Sequence, residues 1–289
     1  MNVLLSSVGR RSYLVDYFRE ALGGQGKVIA TNSIAETPGM FAADVAEVVP
    51  SANDPEFINV FLDVCQRHEV KMFCSLHDWE ALYIAPHKAH FLAQGIIPVV
   101  PDPELADICL DKYKAGLFAN SIGLPYPKCF IELDEALAAI SSGEVVFPLI
   151  LKPRWGQGSI FIKKVHTNEE LKSAYRQIHS ELIDSGLGYL ASEDQDRQVL
   201  IQQFVKGQEY SLDVVNDLQG NFAACFVKHM LSMRFGETDV AKTVTMPQIE
   251  KYGRQIAEAI TQPGILNADF LLSEDGTAYL LEMNPNCSI

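Results

Sequence analysis

The chain has no Cys-x-x-Cys pair, no excess of basic residues, and no apolar run near the ~18 residues that a membrane-spanning helix needs. Each absence excludes something. The six cysteines, Cys65, Cys74, Cys109, Cys129, Cys225 and Cys287, are scattered and read as reduced, mostly buried thiols of a cytoplasmic protein. No membrane span is expected, and the first residues read as a strand rather than a signal peptide. Lys and Arg total 23 against 37 Asp and Glu, a net charge of −14, which argues against nucleic acid as a partner. That acidity must be offset locally wherever an anionic substrate binds. Two glycine-rich nucleotide signatures are missing as well. Without Gly-x-Gly-x-x-Gly a dinucleotide site is disfavoured, and without Gly-x4-Gly-Lys-Ser/Thr there is no Walker loop. No internal repeat or low-complexity segment is present.

What is there is ample material for a core. With 289 residues, 48% of them hydrophobic, the chain predicts two or three domains. Asn2-Val3-Leu4-Leu5-Ser6-Ser7 is a short apolar run, followed by Val8-Gly9-Arg10-Arg11 and a helical face of Tyr13, Leu14, Tyr17, Phe18 and Leu22. Further strands are predicted over 27–31, 47–50, 70–75 and 97–100, with an amphipathic helix over 54–68. Strands alternating with helices imply a parallel sheet covered on both faces. Ligands of such sheets sit at the carboxyl ends of the strands. Ser6, Ser7, Gly9, Arg10 and Arg11 lie at one such end, and Ser75, His77, Asp78 and Glu80 at another. Two arginines at a helix N-terminus suit a carboxylate or phosphate, or are surface charges on the first turn; the spacing leaves both readings open.

A helix over 107–122 contains Lys112 and is stopped by Gly123-Leu124-Pro125. A second helix is expected over 132–141 and a strand over 147–153 that carries Lys152, a charge costly to bury unless it meets an anion. Gly156-Gln157-Gly158-Ser159 follows at once, either an ordinary hairpin turn or a backbone cradle for phosphates. A helix over 167–182, a polar and mobile loop over 184–196, and strands over 199–205, 209–215 and 221–229 come next. Residues 234–242, with Arg234 and Lys242, read as a charged loop before a helix over 245–261.

The last stretch is the most informative. Two apolar runs flank Glu274-Asp275-Gly276, the pattern of a β-hairpin. Residues two apart share a strand face, so Glu282 and Asn284 point one way, and Asp269 on the partner strand can face them. Two carboxylates and an amide oxygen are hard ligands that suit Mg²⁺; the alternative is three solvated polar side chains.

Taken in order, Lys112, Leu151-Lys152-Pro153, Gly156-Gln157-Gly158-Ser159, the run 203–211, Asp269 and Glu282-Met283-Asn284-Pro285 resemble the ATP-grasp superfamily. The chain looks most like the group containing the carbamoyl-phosphate synthase large subunit, whose Ser-x-Gly-Arg-Arg start it shares. The resemblance covers essentially the whole chain. It implies a mixed α/β and α+β protein, with a Rossmann-like pre-ATP-grasp domain over 1–110, a small lid domain over 111–196 and a C-terminal domain with the metal site over 197–289. It also implies roles. Lys112 and Lys152 would reach the ATP phosphates under a flap of Gly156, Gln157, Gly158 and Ser159. Gln203, Phe204 and Val205 would form the adenine hinge, Glu209 would hold the ribose, and Asp269, Glu282 and Asn284 would hold Mg²⁺.

Two departures stand out: Gln203 replaces the usual hinge glutamate, and Asn286 stands where an arginine commonly follows the metal-loop proline. Arg234 or Lys242 could take over that catalytic role, and Arg10 and Arg11 could grip a substrate carboxylate. The implied activity is an ATP- and Mg²⁺-dependent carboxylate–amine ligase for small amino-acid-like substrates, working through an acyl phosphate. Alternatives are a nucleotide-binding regulator without turnover, or half of a split carbamoyl-phosphate-synthase-like enzyme. A homodimer or a partner subunit is expected, and the natural protein is expected to extend past residue 289.

Overall fold

The computed structural model describes residues 1–156, 160–184, 194–234, 237–260 and 262–285. Three sheets follow one another along the chain.

The first is parallel. Strands β1 (Asn2–Ser6), β2 (Val28–Asn32), β3 (Val45–Val48), β4 (Val70–Ser75) and β5 (Ile97–Val99) pair in the order β3-β2-β1-β4-β5. Helices α1 (Ser12–Leu22), α2 (Pro38–Ala42), α3 (Phe57–Arg67), α4 (Asp78–Ile84) and α5 (Lys88–Ala93) accompany them. Leu4 and Ile29 from the strands pack with Phe57, Phe61 and Val64 of α3, while Leu5, Val28 and Ala30 pack with Leu14 and Val15 of α1. Cover on both faces explains why the strands read as continuous apolar runs. The order reverses between β1 and β4, so the loops after these two strands open a crevice at the carboxyl edge.

The helix expected over 107–122 is in fact two, α6 (Pro103–Leu110) and α7 (Lys112–Ser121), broken at Asp111. Asp111 adopts an extended conformation, and its carboxylate accepts the N–H of Tyr113 at 2.9 Å and of Lys114 at 3.3 Å. An aspartate satisfies the free N–H groups of a new helix start better than those of a helix interior.

The second sheet is antiparallel: β6 (Cys129–Phe130), β7 (Leu149–Pro153), β8 (Lys163–Val165) and β9 (Val199–Gln203), in the order β6-β9-β7-β8. Helices α8 (Leu133–Ser141) and α9 (Asn168–Asp184) close one face over Leu149, Leu151, Val199 and Ile201. Strand β9, grouped by sequence with the C-terminal part, is hydrogen-bonded into this sheet between β6 and β7.

The third sheet comprises β10 (Gly207–Asn216), β11 (Phe222–Arg234), β12 (Glu237–Val244), β13 (Gly264–Ser273) and β14 (Ala278–Asn284), in the order β12-β11-β10-β13-β14. Helix α10 (Pro247–Ala259) buries Ile249 and Ile256 against Leu212 and Phe270. Residues 237–242 of the charged loop expected over 234–242 are instead strand, paired with β11 so that Lys242 lies opposite His229. The β-branched residues Thr238, Val240, Thr243 and Val244 suit an extended backbone, and pairing with β11 outweighs the polar composition. The architecture is thus α/β in the first part and α+β in the rest. No described helix is long and apolar enough to cross a membrane.

Candidate active site

The third sheet has two unlike faces, and alternation along its strands decides which residues meet. Tyr210, Leu212 and Val214 of β10 and Leu266, Ala268 and Phe270 of β13 enter the core under α10. The residues between them, Ser211, Asp213, Asn267 and Asp269, face the other way. Cross-strand register sets Ser211 opposite Asp269 and Asp213 opposite Asn267. On β14 the register sets Glu282 opposite Asp269 and Asn284 opposite Asn267. A bulge between Asp269 and Phe270 allows Leu280 and Met283 both to reach the core while Glu282 stays on the polar face. The expected trio of Asp269, Glu282 and Asn284 is therefore brought together.

The polar face is cross-braced. Asn267 Nδ2 donates to Ser211 Oγ at 2.6 Å and to Asp213 Oδ1 at 3.0 Å. Lys228 Nζ pairs with Asp213 at 2.8 Å. Burial and the neighbouring Glu282 charge push the Asp269 carboxyl up to about 7, opposed by a Ser211 hydrogen bond and the Lys228 charge. Asn267 Oδ1 is buried without a partner among the described residues. An unpartnered buried amide oxygen beside two facing carboxyls is a donor set that fits a hard divalent ion. Among the described residues no three His, Cys, Asp or Glu side chains cluster as a metal cage. Mg²⁺ takes few protein oxygens and fills its shell from water and phosphate, and two carboxylates with an amide oxygen are donors of that kind.

Two lysines face this group from the neighbouring elements. Lys112 is buried at the start of α7; its Nζ donates to Gly156 O at 2.5 Å and lies 3.9 Å from Glu282 Oε2. Half-buried Lys152 on β7 is driven down to about 8 by burial and by the Lys112 charge, with Glu282 pulling the other way. Such a lysine awaits an anion.

A clamp that the sequence did not single out fixes both. Buried Arg154 grips Asp111 with Nε at 2.9 Å and Nη2 at 2.7 Å, and reaches Asp194 through Nη1 at 2.5 Å. Lys112 N donates to Arg154 O at 3.1 Å, and Arg154 N to Gln198 O at 2.8 Å. Tyr126 OH closes the arrangement by donating to Lys112 O at 2.7 Å. Arg154 was legible only as a charge beside the glycines. Ser211, Asp213, Lys228 and Asn267 were also missed, although the polar–apolar alternation of β10 carried the signal for the first two.

The remaining expected residues fall around this centre. Gln203 ends β9, its N–H donating to Lys128 O at 2.8 Å, and Phe204 and Val205 link β9 to β10. Lys164 Nζ sits 3.5 Å from the centroid of the Phe204 ring. Glu209 is exposed on the same face of β10 as Ser211, and its charge contributes to the raised Asp269. Lys242 is exposed on β12, and Arg234 ends β11. Gln157, Gly158, Ser159, Asn286 and Cys287, with most of the loop expected over 184–196, lie outside the described residues. Arg10 and Arg11 lie apart from the lysines, between β1 and α1 at the crevice of the first sheet.

Residues 3–100 match the family model for a PylC-like, N-terminal domain, and residues 145–287 match the model for the ATP-grasp domain. The chain therefore contains an ATP-grasp domain over residues 145–287. Acetyl-CoA carboxylase 1 of Oryza sativa subsp. japonica is 28% identical over 279 residues, covering 86% of this chain and 12% of that protein. The carbamoyl phosphate synthase large chain of Mesorhizobium japonicum is 23% identical over 219 residues, 69% of this chain and 19% of that one. The biotin carboxylase domain dimer of Hydrogenobacter thermophilus 2-oxoglutarate carboxylase was solved with MgADP, ADP and bicarbonate. It matches the fold with a TM-score of 0.77 at 18% identity, covering 100% of this chain and 64% of that one. The chain thus spans a minor part of the length of these two sequence relatives.

Proposed function

We propose that this protein is an ATP- and Mg²⁺-dependent ligase that activates a small, amino-acid-like carboxylate as an acyl phosphate and transfers it to an amine or related nucleophile. The observation that carries the reading is the meeting of Asp269 and Glu282 on one rung, with Lys112 Nζ 3.9 Å from Glu282. Paired carboxylates facing lysines are the donors and counter-charges that a cation and phosphates between them would use.

In this reading Lys112 and Lys152 bind the ATP phosphates, and Gly156, Gln157, Gly158 and Ser159 close over them. Gln203, Phe204 and Val205 contact adenine and Glu209 the ribose. Asp269, Glu282 and Asn284 hold Mg²⁺, which when bound supplies positive charge to the phosphates. A carboxylate oxygen of the substrate attacks the γ-phosphorus and ADP leaves; the amine then attacks the acyl carbon and phosphate leaves. Lysine charge neutralises what accumulates on the phosphoryl oxygens, and Arg234 or Lys242 supplies the further cation near the transferred group. Arg10 and Arg11 grip a substrate carboxylate. The lid over 111–196 shields the acyl phosphate from water between the domains over 1–110 and 197–289. Among the described residues, the free thiols of Cys65, Cys109, Cys129 and Cys225 support a reducing, cytoplasmic setting. Work as a homodimer or with a partner subunit belongs to the same proposal.

The test is ADP release from Mg-ATP with pooled amino acids and small carboxylates. Release that depends on one pool supports a ligase. Nucleotide binding with no release in any pool, repeated with a longer chain, would favour a regulator instead.

A further inference from the structure

The crevice of the first sheet holds a cavity of about 420 Å³, lined by Ser7, Arg11, Asn32, His77, Glu80 and Tyr83 among others. Its two charged groups are of opposite sign, and neither has a counter-charge among the described residues. Arg11 caps α1 with no side chain capping the helix and no acidic residue in the first turn, and no ion pair engages it among the described residues. The N–H groups of that helix start add positive potential on the same side. Glu80 is buried, and among the described residues its carboxylate is held by serine hydroxyls, Ser7 Oγ at 2.5 Å, Ser75 Oγ at 2.9 Å and Ser6. Burial raises its pKa against the pull of these serines. His77 adds no cation to the cavity, since burial and the Arg11 charge both lower its pKa. Aromatic Trp79 and Tyr83 line the same space, as do the amides of Asn32 and Asn53.

An isolated anion would satisfy Arg11 and leave Glu80 without a cation. An isolated amine would do the reverse. We propose that this cavity binds a free α-amino acid as its zwitterion, the carboxylate on Arg11 and the ammonium on Glu80, with the side chain against Trp79 and Tyr83. The inference rests on the assignment of Arg11 to a substrate carboxylate and goes beyond it in naming Glu80 as the recogniser of the amine. The volume, at the small end of the ~300–1,000 Å³ typical of ligand pockets, suits one amino acid rather than a nucleotide.

Calorimetric titration of the whole chain, without nucleotide, against the proteinogenic amino acids one at a time tests this. At least one is expected to bind. For the tightest, the deaminated carboxylate and the decarboxylated amine are each expected to bind at least about tenfold more weakly, the scale of one charge-assisted hydrogen bond. Glu80→Gln should erase the advantage over the deaminated analogue, and Arg11→Gln the advantage over the decarboxylated one. Binding by no amino acid, or equal affinity for the deaminated analogue, overturns the proposal. A parallel Mg-ATP titration separates the two readings: ATP binding without amino-acid binding removes this inference alone, and the converse removes the ligase.

Discussion

Asp269 and Glu282 stand directly opposite each other on adjacent antiparallel strands, two carboxylates on a single rung. Burial first, and then the like charge of Glu282, raise the Asp269 carboxyl to about 7. The pair is a liability to the fold in the absence of a cation and the reason to expect one.

A carboxyl that titrates near 7 when folded, against 3.8 for an unperturbed group, binds its proton more tightly in the folded state. Its contribution to stability therefore declines as pH rises from the unfolded value through 7, and the penalty is complete above that. Asp269→Asn is expected to raise Tm by more at pH 8 than at pH 5. Equal shifts at the two pH values in metal-free thermal melts would show that Asp269 carries no such strain.

Glu282→Ala should leave the fold intact, by circular dichroism, and cut substrate-dependent ADP release at least about a hundredfold, the scale of losing one group that stabilises developing charge. Retained turnover would remove Glu282 from the metal site.

Lys152→Met is expected to act in opposite senses on stability and binding. The folded Lys152 titrates at about 8 against 10.5 for a free lysine, so its charge costs stability below 8 and that cost fades as pH climbs toward 10.5. The variant should melt higher than the wild type at pH 7, lose that advantage by pH 10, and bind Mg-ATP more weakly at pH 7. Unchanged nucleotide affinity would take Lys152 off the phosphates.

Asp111→Ala removes the partner of a buried guanidinium and the cap of α7 together. Urea unfolding should report a loss of about 3–5 kcal/mol, the range for breaking a buried ion pair. Asp111→Asn keeps a capping oxygen and should lose less. A loss within the error of the measurement would mean that water reaches Arg154.

The sequence made the hairpin of β13 and β14 legible because its signals are local: a DG turn, apolar flanks and a two-residue spacing between Glu282 and Asn284. The parallel sheet was legible for the same reason, strand and helix periods alternating with short connections. The break at Asp111 was not, because an aspartate within a helical pattern becomes a cap only once Arg154, 43 positions on, holds it. Strand β12 hid behind charges whose exposure on an edge strand costs nothing. The braces around Asp269 come from β10, β11 and β13, and no spacing rule joins Asn267 to Asp213, 54 positions away.

The clamp between Asp111 and Arg154 also fixes what travels with what. Arg154 directly follows β7, the strand of Lys152, while Asp111 opens α7, whose first residue is Lys112. The bond between them is bidentate, dry and backed by the main-chain link from Lys112 to Arg154. While this clamp holds, the four-stranded sheet that carries Lys152 is tied to α7 and Lys112, and α7 in turn packs Ala115 and Ala119 into the core of the third sheet. On the proposed reading, the separation at which the two lysines would meet the phosphates is then set once, during folding, instead of being found anew with each nucleotide bound.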